Sequence, residues 1–269
     1  MPSEAEHRNA ILGAMFAAGA AAVHEEGLWF VTHCETDSKA DAIVAAALVV
    51  DPGALAERTQ IPVVDWSVKW RDGVCAHTVG ALEIAPPWLA TGRDPSRTIV
   101  IEPAMAFGTG DHATTRGVLH LMQSVVRPGD AVADLGCGSA VLAIAAARLG
   151  ARRVAAIELD PDAIANAEAN VVRNGVGDRV AVLEGDALVL LPLVAPVRVV
   201  LANIISSVIE SLLPAIRDSL SDAGVAIFSG MLMTERITMR AVFRAGGWDE
   251  LAEHAEGEWW TVSVRRRLP

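Results

Sequence analysis

Cysteine is scarce in this sequence, and its three cysteines are Cys34, Cys75 and Cys137. They are widely spaced, form no C-x-x-C pair and are odd in number. A disulfide framework and a structural zinc site are therefore excluded as organising principles. We expect a reducing compartment, which for this chain means the cytoplasm.

The sequence also lacks an apolar run of the roughly 18–20 residues that a membrane span needs. The nearest candidate, Leu188–Ile205, is interrupted by two prolines and an arginine. The apolar stretch Ile11–Val23 resembles the core of a signal peptide, but the residues before it are acidic rather than basic. We expect an amphipathic first helix there and no contact with a membrane.

Lysine is nearly absent, since only Lys39 and Lys69 occur, and the formal net charge is −11. Such a surface repels phosphate backbones, which argues against direct nucleic-acid binding and suits a basic protein partner. Hydrophobic residues make up 52% of the 269 residues, so we expect a packed core and not a disordered chain. Internal repeats and low-complexity tracts are also missing, which excludes solenoids and long linkers.

Three regions follow from the distribution of residue types. Residues 1–60 predict a small α+β domain with a helix over Ala10–Ala18, a strand over Leu28–His33 and a helix over Lys39–Val50. Residues 61–98 are rich in proline and tryptophan and predict short strands that link two domains. Residues 99–269 alternate between strands and helices, which predicts a mostly parallel sheet with helices on both faces.

Five strands of that sheet are predicted from apolar runs: Ala131–Leu135, Arg153–Glu158, Val180–Glu184, Val197–Ala202 and Val225–Ser229. A helix is predicted after most of them, with Asp160 as an N-cap and with Ser207 and Glu210 as a capping box. The closing strands, Trp248–His254 and Trp259–Arg265, have no helix between them and must pair antiparallel. Ligands on such sheets bind at the carboxyl ends of the strands.

The clearest chemical motif is Asp134-Leu-Gly-Cys-Gly-Ser-Ala, directly after one strand and at the start of a helix. Gly136 and Gly138 allow a ligand to approach the backbone, and the helix start offers N–H groups to an anion. Asp134 is placed to accept a hydrogen bond from an ammonium or amide. A dinucleotide site needs a further glycine where Val141 stands, whereas a sulfonium nucleoside does not. A turn that serves only helix packing is the alternative.

Acidic residues follow the next two strands. Glu158 ends its strand at the position from which a carboxylate accepts hydrogen bonds from ribose hydroxyls. Asp186 is a candidate for an adenine amino group, and a plain turn is nearly as good an interpretation. Asp160 is better explained as a helix cap.

Asn203 ends the fourth strand, where its amide is predicted to point into the ligand cleft or to cap the next helix. Amide-directed methyltransferases carry Asn-Pro-Pro here, and this chain has Ile204 and Ile205 after the asparagine. A glutamine or adenine amide is therefore a disfavoured target.

A loop rich in glycine and threonine, residues 102–116, precedes the sheet. Thr114 and Thr115 are expected to bind a ligand, to cap the helix that follows, or both. His112 is more often structural than catalytic in such a setting. No cluster of metal-ligating residues is apparent.

Together these motifs resemble the ribosomal protein L11 methyltransferases. The residues that carry the resemblance are Ile101–Thr115, the Asp134 motif, Ala156-Ile-Glu-Leu-Asp160, Ala202-Asn-Ile204 and Phe228-Ser-Gly230. The resemblance implies a Rossmann-like, seven-stranded class I methyltransferase sheet with an antiparallel C-terminal hairpin, over residues 99–269. It implies that the small N-terminal domain recruits the substrate.

The implied activity is methyl transfer from S-adenosylmethionine to lysine side chains and an N-terminal amine of one large-subunit ribosomal protein. The family's donor contacts fall here on Thr115, Gly136, Glu158 and Asn203. Phe107, Thr109 and Gly110 lie in the loop that frames the donor and the methyl-transfer opening. The chain departs from the family pattern at four positions. It carries Asp111 where the family usually has Thr and Ala113 where it has Pro. Ala140 replaces a Gly, and Glu158 replaces an Asp.

Phe107, Asn203 and Trp259 are the candidates for the mouth through which the amine reaches the methyl group. Trp259 or Trp260 would contact the amine by a cation–π interaction, and core packing explains either tryptophan equally well. The alternatives are a related methyltransferase with another protein or small-molecule acceptor, a dinucleotide oxidoreductase, and a donor-binding scaffold without catalysis. The sequence leaves open which amines are methylated, how often, and the oligomeric state.

Overall fold

The computed structural model describes residues 4–59, 74–103, 108 and 110–267. The chain divides into two units, Met1–Asp65 and Trp66–Pro269. The predictions that fall on Phe107 and Thr109 lie outside the described residues.

The first unit is a helix, a hairpin and a second helix. Its elements are α1 (Glu4–Ala17), β1 (His24–Glu26), β2 (Trp29–Val31) and α2 (Asp37–Val50). The two strands pair antiparallel, and their small core includes Ile11, Met15 and Ile43. The strand predicted over Leu28–His33 is present as the shorter β2, whereas β1 was not predicted. Gly27, with a φ of +61°, lies in the turn between the two strands.

The first described elements of the second unit form a small three-stranded sheet. Its strands are β3 (His77–Val79), β4 (Leu82–Ala85) and β5 (Thr98–Val100), with a short helix α3 (Pro87–Ala90) between the last two. β4 pairs antiparallel with β3 and parallel with β5. Much of the proline-rich segment thus folds as part of the second unit, whereas the division into a recruiting domain and a linker stays a prediction.

The remaining elements alternate as the sequence predicts. They are α4 (Ala113–Val125), β6 (Ala131–Leu135), α5 (Val141–Arg148), β7 (Arg153–Glu158), α6 (Pro161–Arg173), β8 (Val180–Glu184), α7 (Ala187–Val194), β9 (Val197–Asn203), α8 (Ser206–Ser219), β10 (Leu220–Leu232), α9 (Arg236–Ala245), β11 (Trp248–Glu256) and β12 (Trp259–Arg266). The strands form one seven-stranded sheet in the order β11-β12-β10-β9-β6-β7-β8.

The register of this sheet confirms the predicted architecture. β6 pairs parallel with both β7 and β9, and β10 pairs parallel with β9. β12 alone runs against its neighbours, pairing antiparallel with β10 and β11. The strand order changes direction at β6, so the crevice between β6 and β9 is the topological switch point where ligands bind.

Apolar side chains fill both faces of the sheet. On one face Ile144 and Leu119 are buried, and on the other Phe228 stacks on Phe243 with ring centroids 5.4 Å apart. These two apolar layers hold the sheet between the helices. Among the described residues no helix is long and apolar enough to cross a membrane.

Two local predictions were wrong. The helix α7 was missed, because Pro192 interrupts an apolar segment without clear helical spacing. The capping box of Ser207 and Glu210 does not form: Ile205 takes the N-cap position without a side-chain hydrogen bond. Instead the neighbouring Ser206 hydroxyl donates to Glu235, 2.5 Å away and far along the chain.

Candidate functional site

A cavity of about 380 Å³ lies at the carboxyl ends of β6, β7 and β9. This is within the size range of small-molecule sites. Its wall brings together five of the residues proposed from the sequence to bind a ligand: Thr115, Gly136, Gly138, Glu158 and Asn203. They come from four different elements and meet at the switch point of the sheet.

The glycine turn forms the floor of this cavity. Gly136 and Gly138 have φ angles of +67° and +52°, in the left-handed region that favours glycine. A Cβ on Gly136 would stand 2.7 Å from the Ile204 side chain. Glycine at this position therefore keeps the turn in shape and keeps the backbone accessible. Ala140 also adopts a positive φ, +64°, and is fully buried, so the methyl that replaces the family's glycine is accommodated.

Asp134 lies beneath the cavity and not on its wall. It is fully buried, and its Oδ2 accepts a hydrogen bond from the Ala143 N–H at 3.0 Å. Ala143 is in the first turn of α5, whose N-cap residue, Ala140, has no side-chain cap. Asp134 therefore caps α5 from the neighbouring strand, and its direct contact with a ligand stays a prediction.

Burial raises the pKa of Asp134 from 3.8 to about 7. The hydrogen bond from Ala143 lowers this pKa, and the negative charge of Glu158 raises it. Asp134 Oδ1 is buried and has no hydrogen-bond partner among the described residues. The carboxyl group thus titrates near neutral pH directly below the glycine turn.

Glu158 accepts three backbone hydrogen bonds. Its Oε2 receives the N–H of Gly138 at 2.8 Å, and its Oε1 receives those of Leu159 at 2.8 Å and Asp160 at 3.0 Å. These bonds fix the carboxylate on the cavity wall and join the turn after β6 to the end of β7. The lone pairs that remain on the two oxygens are available to hydroxyl donors.

Asn203 is the last residue of β9 and lines the cavity. Its Nδ2 donates to the Thr115 hydroxyl at 3.3 Å. The alternative role as a helix cap is wrong, because Ile205 is the N-cap of α8. Thr115 is fully buried, so the pair joins the start of α4 to the central sheet.

His112 is the N-cap of α4. Its Nδ1 accepts from the Thr114 N–H at 3.4 Å and lies 2.7 Å from the Thr114 hydroxyl. The His112 ring meets Trp259 edge to face, with centroids 4.8 Å apart. Trp260 is fully buried and donates its indole N–H to Glu253, so it is a core residue. Trp259 is half-buried and does not line the cavity, so its place at the mouth stays a prediction.

The two remaining acidic candidates cap helices. Asp160 accepts from the Asp162 N–H at 3.0 Å, which confirms the predicted cap of α6, and it also lines the cavity. Asp186 accepts from the Leu188 N–H at 2.8 Å at the start of α7 and does not line the cavity. The cap of α7 thus accounts for this hydrogen bond of Asp186, and contact of Asp186 with an adenine stays a prediction.

The loop before α4 contributes Gly108 to the cavity wall. The Gly108 carbonyl accepts from the Ser139 hydroxyl at 2.7 Å. Gly110 is buried with a φ of +89°, and a Cβ there would stand 2.6 Å from Ile84. It packs on the small sheet and does not line the cavity.

Several wall residues were not proposed from the sequence: Gly108, Cys137, Val141, Leu142, Ala163 and Ile204. Val141 and Leu142 begin α5, and first-turn N–H groups have no partner within their own helix. Burial raises the pKa of the Cys137 thiol, which keeps it protonated. Most of these residues are next to a motif residue in the sequence, and that proximity is the signal that could have identified them. Within the described part of the chain, no group of three or more His, Cys, Asp or Glu side chains is arranged to hold a metal ion.

Comparison with known proteins identifies close relatives. The family model described as "Ribosomal protein L11 methyltransferase" matches residues 21–267. The protein of that name from Thermus thermophilus is 38% identical over 202 residues, which cover 75% of this chain and 78% of the relative. The one from Chloroflexus aurantiacus is 36% identical over 226 residues, with 75% and 69% covered.

Solved structures agree with this comparison. The ribosomal protein L11 methylase from Lactobacillus delbrueckii subsp. bulgaricus superposes with a TM-score of 0.64 and 27% identity, covering 72% of this chain and 99% of that one. A putative RNA methyltransferase from Pyrococcus horikoshii, at 20% identity and a TM-score of 0.51, shares the fold.

Proposed function

Because this chain belongs to the ribosomal protein L11 methyltransferase family, we propose that it transfers methyl groups from S-adenosylmethionine to amino groups of that ribosomal protein. The observation that carries the proposal is the cavity at the switch point, where Gly136, Gly138, Glu158 and Asn203 share one wall. It rests on geometry and on family membership together.

The residues present fit S-adenosylmethionine. Gly136 and Gly138 present their backbone on the cavity wall, and a Cβ at Gly136 would collide with Ile204, so the turn can take this shape only with glycine there. The first turn of α5 offers N–H groups to the donor's carboxylate, and Glu158 offers acceptor positions to ribose hydroxyls. When bound, this donor supplies a methyl group that is already activated by a positively charged sulfur.

We assign the donor contacts to Thr115, Gly136, Gly138, Glu158 and Asn203. Asp134 acts on the donor through α5, whose first turn it caps. Thr109 and Gly110, with Phe107, belong to the loop that would frame the donor, and Asp186 stands at the adenine end as a further candidate.

The protein's task in this reaction is alignment and the supply of a neutral amine. A lysine amine with a pKa near 10.4 is only about 0.1% neutral or less at pH 7. An apolar mouth lowers that pKa by desolvation, and Trp259 supplies an aromatic wall for it. The two carboxylates on the cavity wall, Glu158 and Asp160, already accept backbone N–H groups, so we assign removal of the proton to water.

The first unit is proposed to recruit the ribosomal protein. The net charge of −11 favours a basic protein acceptor and disfavours direct contact with nucleic acid. We place the reaction in the cytoplasm, where ribosomal proteins are made.

The test is transfer of labelled methyl groups from S-adenosylmethionine to purified ribosomal protein L11. A second sample of that protein, with its amines acetylated beforehand, tests the amine specificity. We expect label on the untreated protein and none on the acetylated one. Equal labelling of both would refute the amine assignment, and label appearing only on other proteins of a lysate would refute the acceptor.

A further inference from the structure

Asn170 is a buried side chain that none of the sequence motifs includes. It lies on α6 and is fully buried. Two further asparagines, Asn166 and Asn174, stand one helical turn before and after it, so the three share one face. This face meets the segment Val100–Glu102, which comprises the last residue of β5 and the two residues after it.

The amide of Asn170 fills all four of its hydrogen-bonding positions. Its Oδ1 accepts from the Glu102 N–H at 2.9 Å and from Arg173 Nη1 at 2.9 Å. Its Nδ2 donates to the Ser139 carbonyl at 3.1 Å and to Asn166 Oδ1 at 3.3 Å. A buried amide that is fully satisfied holds its partners in one arrangement.

Two of these partners lead directly to the cavity. Ser139 follows Gly138, whose N–H is held by Glu158. The Ser139 hydroxyl in turn holds the carbonyl of Gly108, which is also on the cavity wall. One side chain on α6 therefore fixes the peptide at the end of the glycine turn and, through it, Gly108.

Asn174 is a matched comparison for Asn170, because it is a similarly buried asparagine with different hydrogen-bond partners. It is nearly as buried, at 5% exposed, and binds Val100, the last residue of β5. Its Oδ1 accepts from the Val100 N–H at 2.9 Å, and its Nδ2 donates to the carbonyls of Val100 at 2.7 Å and Asn170 at 2.8 Å. Among the described residues, its side chain forms no hydrogen bond with the glycine turn.

We propose that Asn170 is a positioning residue for donor binding, which shapes the glycine turn through the Ser139 carbonyl without touching the donor. The inference rests on the proposed donor site. Without Asn170 the Ser139 carbonyl and the Glu102 N–H lose their partner, so the turn is free to rotate its peptides away from the orientation that the donor needs. Without Asn174 only the distant end of the same segment is released.

The matched pair Asn170→Ala and Asn174→Ala separates positioning from stability. Both remove one buried amide from α6, and both are expected to lower the midpoint of urea unfolding. We expect the Kd for S-adenosylhomocysteine, measured by calorimetry, to rise about tenfold or more in Asn170→Ala and less than about threefold in Asn174→Ala. In turnover assays the KM for the donor should rise in Asn170→Ala while the KM for the ribosomal protein stays unchanged.

A second pair, Asn170→Asp and Asn174→Asp, serves if an alanine variant does not fold. It keeps the side-chain shape and the accepted bonds, removes the donated bonds, and adds the same buried carboxyl group at both positions. Unchanged donor affinity in the Asn170 variants, or an equal loss in both members of a pair, would overturn the inference. Failure of the unmodified protein to bind S-adenosylhomocysteine would instead contradict the donor site itself.

Discussion

The carboxylate of Glu158 accepts the backbone N–H of Gly138 at 2.8 Å, across 20 positions of sequence. This bond joins the ends of two neighbouring parallel strands, β6 and β7, at the cavity wall. The same carboxylate is the group that we assign to the ribose of the donor. Glu158 therefore shapes the glycine turn, and in our proposal it also binds the ligand that the turn accommodates.

Replacement of Glu158 by alanine should remove both functions. We expect Glu158→Ala to weaken binding of S-adenosylhomocysteine by more than about tenfold, or about 1.4 kcal/mol. Glu158→Gln is the control, because its amide oxygen can still accept the Gly138 N–H while an NH2 group, which is a donor, replaces the other carboxylate oxygen. Calorimetry on the three proteins measures the effect, and unchanged affinity in the alanine variant would show that the ribose lies elsewhere.

Gly136 offers a prediction about close approach. Gly136→Ala places a Cβ 2.7 Å from Ile204 at a φ of +67°. Gly175 has a φ of +63° with open space around it, so Gly175→Ala carries the backbone strain alone, about 1–2 kcal/mol. We expect both variants to lose stability in urea and only Gly136→Ala to lose donor affinity. Loss of affinity in both would trace the effect to strain rather than to the collision.

Thr115 and Asn203 should act as a unit. Their hydrogen bond, at 3.3 Å, joins α4 to the end of β9. We expect Thr115→Val and Asn203→Ala each to lower kcat/KM about tenfold, and the double variant to lose little more than either single one. Steady-state kinetics on the four proteins form the cycle. Losses that multiply in the double variant would mean that the two side chains act independently.

Asp134 predicts a pH dependence of stability. Its pKa is about 7 in the folded protein against 3.8 ordinarily, so the folded state binds more protons than the unfolded state between those values. The free energy of unfolding therefore falls as the pH rises from about 4 to about 7, by about 1.4 kcal/mol for each unit of difference between the folded and unfolded pKa values. Asp134→Asn cannot titrate and should lack this slope.

Urea unfolding at a series of pH values tests this expectation. The difference between the two proteins cancels the groups that both share. The unmodified protein should lose stability relative to Asp134→Asn as the pH rises. Parallel profiles would contradict a raised pKa at Asp134.

The sheet could be predicted closely from the sequence because its strands are apolar runs with sharp ends. β6, β7 and β8 begin and end at the residues predicted for them. The candidate site could also be predicted, since the glycine turn follows one strand of this sheet and Glu158 and Asn203 each end another. Residues that come at the carboxyl ends of neighbouring parallel strands must meet at one edge.

The contacts that could not be predicted join residues far apart in sequence. Ser206 bonds Glu235 rather than capping its own helix, and no local spacing indicates this. Asn170 reaches Ser139 across 31 positions. The sequence does show asparagine at every fourth position, at 166, 170 and 174. Such a spacing indicates a shared helix face but not which residues that face contacts. In the first unit, β1 was missed because its three residues, His24–Glu26, are polar and exposed and show no apolar alternation.

The most direct test of the account is the intact mass of ribosomal protein L11 after incubation with this protein and S-adenosylmethionine. We predict a gain in whole methyl increments, lost when Glu158→Ala replaces the unmodified protein at low donor concentration. An unchanged mass, with donor binding confirmed by calorimetry in the same preparation, would contradict the central claim that this chain methylates that protein.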